Sequence, residues 1–156
     1  MRLVICAVGR LRAGPERELI DDYTRRFDRT GRALGLGPLS ISEVEDRKGG
    51  GMAAEAALLD RALPGSARVC ALDERGKSLS SPDLADLLAR WRDEGCGDAA
   101  FVIGGADGLD PALRARADTL LSFGPMVWPH MLARVMLTEQ LYRAASILAG
   151  LPYHRA

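Results

Sequence analysis

Apolar runs alternate with helical repeats along the whole chain. Residues 3–8 are almost continuously apolar, the pattern of a strand covered on both faces. Pro15 opens a helical stretch in which Leu19, Tyr23 and Phe27 recur every four residues, with Glu16 and Glu18 in the first turn, where the helix dipole favours acids. Leu39, Ile41 and Val44 mark a weaker strand. Residues 46–51 read as a flexible loop, and residues 52–63 as an Ala/Leu helix stopped by Pro64 and Gly65. In the second half, residues 68–72 predict a buried strand followed by a loop over residues 73–77. Ser81 and Pro82 predict the cap and first turn of a helix that runs to Glu94, with Gly95 at its end. A strand over residues 99–103 ends in a glycine-rich loop, residues 104–108. A short helix (111–118), a short strand (119–123), a Pro-containing loop (124–129) and a long helix (130–149) complete the pattern.

Strands alternating with helices predict an α/β fold: a mostly parallel sheet with helices on both faces and a ligand crevice at the carboxyl ends of the strands. At 156 residues the chain is expected to be a single domain. In a parallel sheet the loops 72–77, 104–108 and 123–129 emerge along one edge, so three distant stretches would build one pocket.

Charge narrows the partners. The chain has 21 basic and 21 acidic residues, which excludes the globally basic surface of many nucleic-acid binders and leaves RNA contact to local patches. Cys6, Cys70 and Cys96 are far apart without metal or redox spacing, and His130 and His154 are the only histidines, so no metal is expected. Arg134, Glu139 and Arg143 interrupt the longest apolar stretch, which argues against a membrane span. The opening residues lack a secretory h-region, and a cytoplasmic protein is expected.

Several residues carry candidate chemistry. Gly104 and Gly105 would let another backbone or a flat ligand approach closely, and Gly108 can supply a positive φ, although neither phosphate-binding fingerprint is present. Asp107 suits either a ligand hydroxyl or its own backbone, and Trp128 either a base or simple packing. Glu139 and Arg143 are spaced for an intrahelical ion pair. The helix 130–149 is apolar almost all round, which predicts a second protomer packed against it. The tail Tyr153-His154-Arg155 follows Pro152, adds little core, and brings together groups that stack on a base, handle a proton and bind a phosphate.

Six motifs in order then resemble one family. They are Leu72–Lys77, Ile103–Leu109, Pro129-His130, Arg134-Val135, Glu139–Ala144 and Pro152–Arg155. Together they resemble the RlmH family, the large-subunit ribosomal RNA pseudouridine N3-methyltransferases of the SPOUT class, over the whole chain. The resemblance implies a C-terminal trefoil knot, an obligate homodimer, and S-adenosylmethionine as methyl donor. It places cofactor binding on Leu72, Gly104, Gly105, Phe123, Gly124, Pro125, Met126, Val127 and Trp128. It places the substrate side on Arg143, Tyr153, His154 and Arg155, with the tail reaching the partner's pocket. Gly124-Pro125 and Val127-Trp128 depart from residues common in relatives, and Ala156 ends the chain where an acid is common. The substrate implied is 23S ribosomal RNA within the assembled ribosome. His154 would accept the N3 proton, or Arg143 or Arg155 would stabilise the oxyanion without a general base. A non-catalytic ribosome-assembly factor and a knotted transfer-RNA methyltransferase are the competing expectations.

Overall fold

The structure is a computed structural model that describes residues 1–155; Ala156, at the end of the tail, lies outside the described residues. Five strands form one wholly parallel sheet: β1 (Arg2–Val8), β2 (Leu39–Val44), β3 (Arg68–Ser78), β4 (Asp98–Ile103) and β5 (Thr119–Ser122), in the order β2-β1-β4-β3-β5. Four helices connect them, α1 (Pro15–Gly31), α2 (Gly51–Ala62), α3 (Ser81–Asp93) and α4 (Pro111–Arg116), and a fifth, α5 (His130–Leu148), follows β5. The central strand β4 is buried at every position. Its side chains alternate between two cores, as the two-residue period of a strand requires.

On one face, Leu3, Ile5, Phe101 and Ile103 pack with Phe27 of α1, Leu84 and Leu88 of α3, and Leu137 and Leu141 of α5. On the other, Cys6, Val8, Val102 and Val69 pack with Leu59 of α2 and Leu113 of α4. Helices therefore cover both faces, as the alternation of elements predicts.

Three expectations need correction. The residues read as a loop after Leu72 belong to β3. That strand pairs with β5 up to Leu72↔Leu121, breaks register, and pairs again at Lys77↔Leu121 and Ser78↔Ser122. The polar and glycine composition that suggested a loop reflects an interruption inside the strand. Within it a Cβ on Gly76 would stand 2.6 Å from the Leu120 carbonyl carbon, so only glycine fits against that backbone. Second, Ser80 rather than Ser81 caps α3. Its hydroxyl accepts from the Asp83 amide while the Asp83 carboxylate accepts from the Ser80 amide, a reciprocal capping box. Third, the apolar surface of α5 is met in part by its own chain, so its pattern alone does not require a second protomer. It lies between α1 and α3 on the sheet and buries Arg134, Val135, Leu137, Thr138, Leu141, Tyr142, Ala144, Ala145 and Ser146.

Candidate active site

The interruption inside β3 and the loops after β4 and β5 converge because those three strands are neighbours in the sheet. They enclose a crevice of about 200 Å³ lined by Leu72, Asp73, Ile103, Gly104, Gly105, Gly108, Phe123, Gly124, Met126, Val127, Trp128 and His130, among others. Eight of the nine residues that the resemblance assigns to the cofactor thus share one wall system. Pro125 is absent from the lining. Met126, Val127 and Trp128 are 70%, 91% and 40% exposed, so this loop offers apolar surface to a ligand and is not packed as core.

The glycines divide into two kinds. A Cβ on Gly104 would stand 2.7 Å from the Gly108 carbonyl oxygen, and one on Gly105 would stand 2.9 Å from the Glu55 carboxylate. The space at Gly104 is taken by the protein's own backbone, one of the two approaches the sequence left open, and that at Gly105 by the Glu55 side chain, while both glycines line the crevice. Gly108 and Gly124 instead face open space and hold φ values of 81° and 98°. Glu55, which the sequence did not single out, is pushed toward protonation mainly by burial, reinforced by Asp107 and Asp46 and opposed by His130. Asp107 itself is exposed.

The tail forms a second cluster. The Tyr153 ring lies 4.6 Å from that of Tyr142 and 4.7 Å from the Arg143 guanidinium carbon. Its hydroxyl donates to Glu139 Oε1 at 2.9 Å. Arg143 donates to the same oxygen through Nε at 3.0 Å and Nη2 at 2.6 Å, while its Nη1 lies 3.4 Å from His154 Nδ1. Gln140 donates to Glu139 Oε2 at 2.9 Å and accepts from the Ser81 hydroxyl at 2.6 Å, tying the cluster to α3. Desolvation, together with hydrogen bonds to Tyr23 and Glu139, raises the Tyr153 pKa well above the ordinary tyrosine value. The tail is therefore anchored on its own domain through Tyr153, contrary to the expectation that it adds little core. Arg155 is exposed.

None of the four tail-side candidates lines the crevice. Between the two clusters lies an apolar groove of about 610 Å³, which shares Phe123 and Gly124 with the crevice and includes Glu139 from the tail cluster. Leu19, Leu79 and Met136 contribute to its wall.

The family model described as predicted SPOUT methyltransferase matches residues 1–154. The chain belongs to the SPOUT methyltransferase family. Within it, this SPOUT chain is 73% identical over 155 residues to the ribosomal RNA large subunit methyltransferase H of Dinoroseobacter shibae, covering 99% of both chains. The protein of the same name from Ruegeria pomeroyi is 72% identical with the same coverage. Among solved structures, a probable methylase family protein from Haemophilus influenzae superposes with a TM-score of 0.54 at 15% identity, covering 99% of this chain and 70% of that one. A probable methyltransferase from Bordetella pertussis gives 0.51 at 16% identity, covering 92% and 96%. These two show that the SPOUT chain shares their fold. No helix among the described residues is long and apolar enough to cross a membrane, and none of their side chains form a His/Cys/Asp/Glu group able to hold a metal.

Proposed function

We propose that the protein transfers a methyl group from S-adenosylmethionine to N3 of a pseudouridine in 23S ribosomal RNA within the assembled ribosome, in the cytoplasm and as a homodimer. Family membership supports methyl transfer to large-subunit ribosomal RNA. The observation that carries the cofactor reading is the convergence of the β3 interruption and two strand-end loops on one crevice. Its apolar walls suit a flat adenine, and the open approaches at Gly108 and Gly124 leave backbone atoms accessible to polar edges. No metal enters this reading.

S-adenosylmethionine supplies an electrophilic methyl group in an in-line displacement, so alignment provides much of the rate and no protein nucleophile is needed. Arginine only donates hydrogen bonds, so a bond from Arg143 Nη1 to His154 Nδ1, 3.4 Å away, requires the tautomer with its proton on Nε2. In that tautomer His154 donates to the acceptor base. It stabilises oxyanion character together with Arg143 and Arg155, and the N3 proton leaves to solvent. The separation of tail and crevice within one chain supports the dimer: a partner seated on the intervening groove would bring its tail to this crevice. The reading includes a trefoil threading of the C-terminal part.

The test is methyl transfer from labelled cofactor to assembled ribosomes, isolated large subunits and protein-free RNA, followed by mass spectrometry of the modified nucleotide. Transfer to a pseudouridine, with ribosomes preferred, is expected. Cofactor binding without transfer to any of the three would overturn the reading.

A further inference from the structure

We propose that Arg134 and Glu43 are positioning residues for the crevice, holding the first turns of α5 at the ends of β1 and β2. The inference rests on the crevice being the cofactor site. Arg134 is 1% exposed, the largest fully buried side chain of the protein, and an arginine is seldom buried without a specific set of acceptors. Its Nη1 donates to Glu43 Oε2 at 2.9 Å, and its Nη2 to the carbonyls of Val8 and Gly9 at 3.2 and 3.0 Å. Glu43 Oε2 also accepts from the Leu11 amide at 2.5 Å. One guanidinium thus joins three segments: the end of β1 with the loop that follows it, the edge strand β2, and α5.

The residues around Arg134 on α5 form the crevice. His130 and Ala133 line it, and His130 stands one helical turn before Arg134 on the same helix face. Gly9 meets the same turn from below, since a Cβ there would stand 3.3 Å from Met131 Cε and 3.8 Å from His130 Nε2. The loop carrying Met126, Val127 and Trp128 runs directly into this turn. A helix held only by apolar packing can slide or rotate slightly at little cost. Three directional bonds from a buried cation fix its depth and rotation. Arg134 Nε has no partner among the described residues, so the arrangement tolerates an imperfectly satisfied charge to keep those three bonds.

The test compares Glu43→Gln and Arg134→Lys with Asp98→Asn, which breaks the Arg2–Asp98 ion pair at the opposite end of the sheet. Cofactor affinity is measured by calorimetry well below each melting point, and KM for cofactor and for ribosomes separately. Both clamp variants should weaken cofactor binding about ten-fold with ribosome KM unchanged. Asp98→Asn should lower the melting point while leaving affinity within two-fold. In the unaltered protein, cofactor should slow hydrogen exchange at the Leu11 amide, because coupling between two sites is reciprocal; this measurement decides the matter where a variant fails to fold. Folded clamp variants with unchanged affinity, or no protection at Leu11, would overturn the proposal while leaving the crevice reading intact. Absence of cofactor binding by the unaltered protein would overturn both.

Discussion

Replacing Tyr153 separates the anchoring of the tail from its chemistry. Tyr153→Phe removes only the hydroxyl that donates to Glu139 at 2.9 Å, and Glu139 keeps Arg143 and Gln140 as donors, so no charge is left unpaired. A hydrogen bond to a charged group contributes about 1.5 kcal/mol at such a half-buried position. Tyr153→Ala also removes the ring that packs on Tyr142 and under Arg143. The aromatic pair and the cation–π contact add about 1 and about 0.5 kcal/mol, bringing the expected loss to roughly 3 kcal/mol. In a domain of this size 1 kcal/mol moves the melting point by about 2–4 °C. Thermal unfolding at neutral pH should therefore rank the unaltered protein above the Phe variant and the Phe variant above the Ala variant, with the second gap no smaller than about 3 °C. Cofactor affinity should stay within two-fold in both variants, since the tail is not part of the crevice of its own chain. Methyl transfer should survive in the Phe variant, which still supports Arg143, and fall at least ten-fold in the Ala variant. Equal melting points for the Phe and Ala variants would refute the packing of Tyr153 on Tyr142. A fully active Ala variant would refute the tail's part in the reaction.

Gly104→Ala should cost about 1–3 kcal/mol in thermal unfolding, because its Cβ meets the backbone of Gly108. Gly124→Ala should weaken cofactor binding more than ten-fold in calorimetry and also lower the melting point, since its Cβ meets no atom but its φ of 98° is strained for any residue with a side chain. Ser80→Ala should lower stability by about 1 kcal/mol in denaturant titration through loss of the capping box, whereas Ser80→Thr should keep most of it. Burial raises the Cys6 and Cys70 thiols from 9.0 to about 11 and about 12. Because the folded state binds these protons more tightly, their contribution is complete below pH 9 and is lost as pH rises through those values. Melting scans across that alkaline range should fall less steeply for Cys6→Ala, and at neutral pH a thiol reagent should label half-buried Cys96 first.

Much of the fold was legible because burial writes itself as pattern. The uninterrupted apolar run of β4 belongs to the central strand, covered on both faces with neighbours on both edges. The place of the crevice followed from the parallel sheet, whose strands run the same way and bring the loops after β4 and β5 to one edge. The continuation of β3 was not legible, because Asp73, Glu74, Arg75 and Gly76 carry no strand period. They continue the strand only because β5, about 45 residues later in the chain, supplies the second pairing edge. The Ser80 cap did leave a signal, the Ser-x-x-Asp spacing to Asp83, which the Ser81-Pro82 pair obscured. The all-round apolar character of α5 overstated its need for a partner, since flanking α1 and α3 supply the second and third walls. The role of Arg134 was invisible for the opposite reason. An arginine in an apolar helix reads only as an interruption that argues against a membrane span, and nothing local announces an acid on the edge strand 91 positions away.

The order of strands in the sheet has a consequence for how the chain comes into being. β1 is made first, yet one of its two edges waits for β4, whose partner residues lie 96 positions downstream. Until residue 103 has been synthesised, β1 and β2 can offer only a two-stranded parallel ribbon with an apolar, unpaired border, too small to be stable. No amino-terminal fragment ending before β4 has the means to settle, and the closing of the sheet is a long-range, late event that favours slow, all-or-none folding. The crevice, built by β3, β4 and β5, is then completed in the same step that makes the molecule stable. Truncated or stalled products should therefore be unfolded and open to proteolysis, with no partly active form among them.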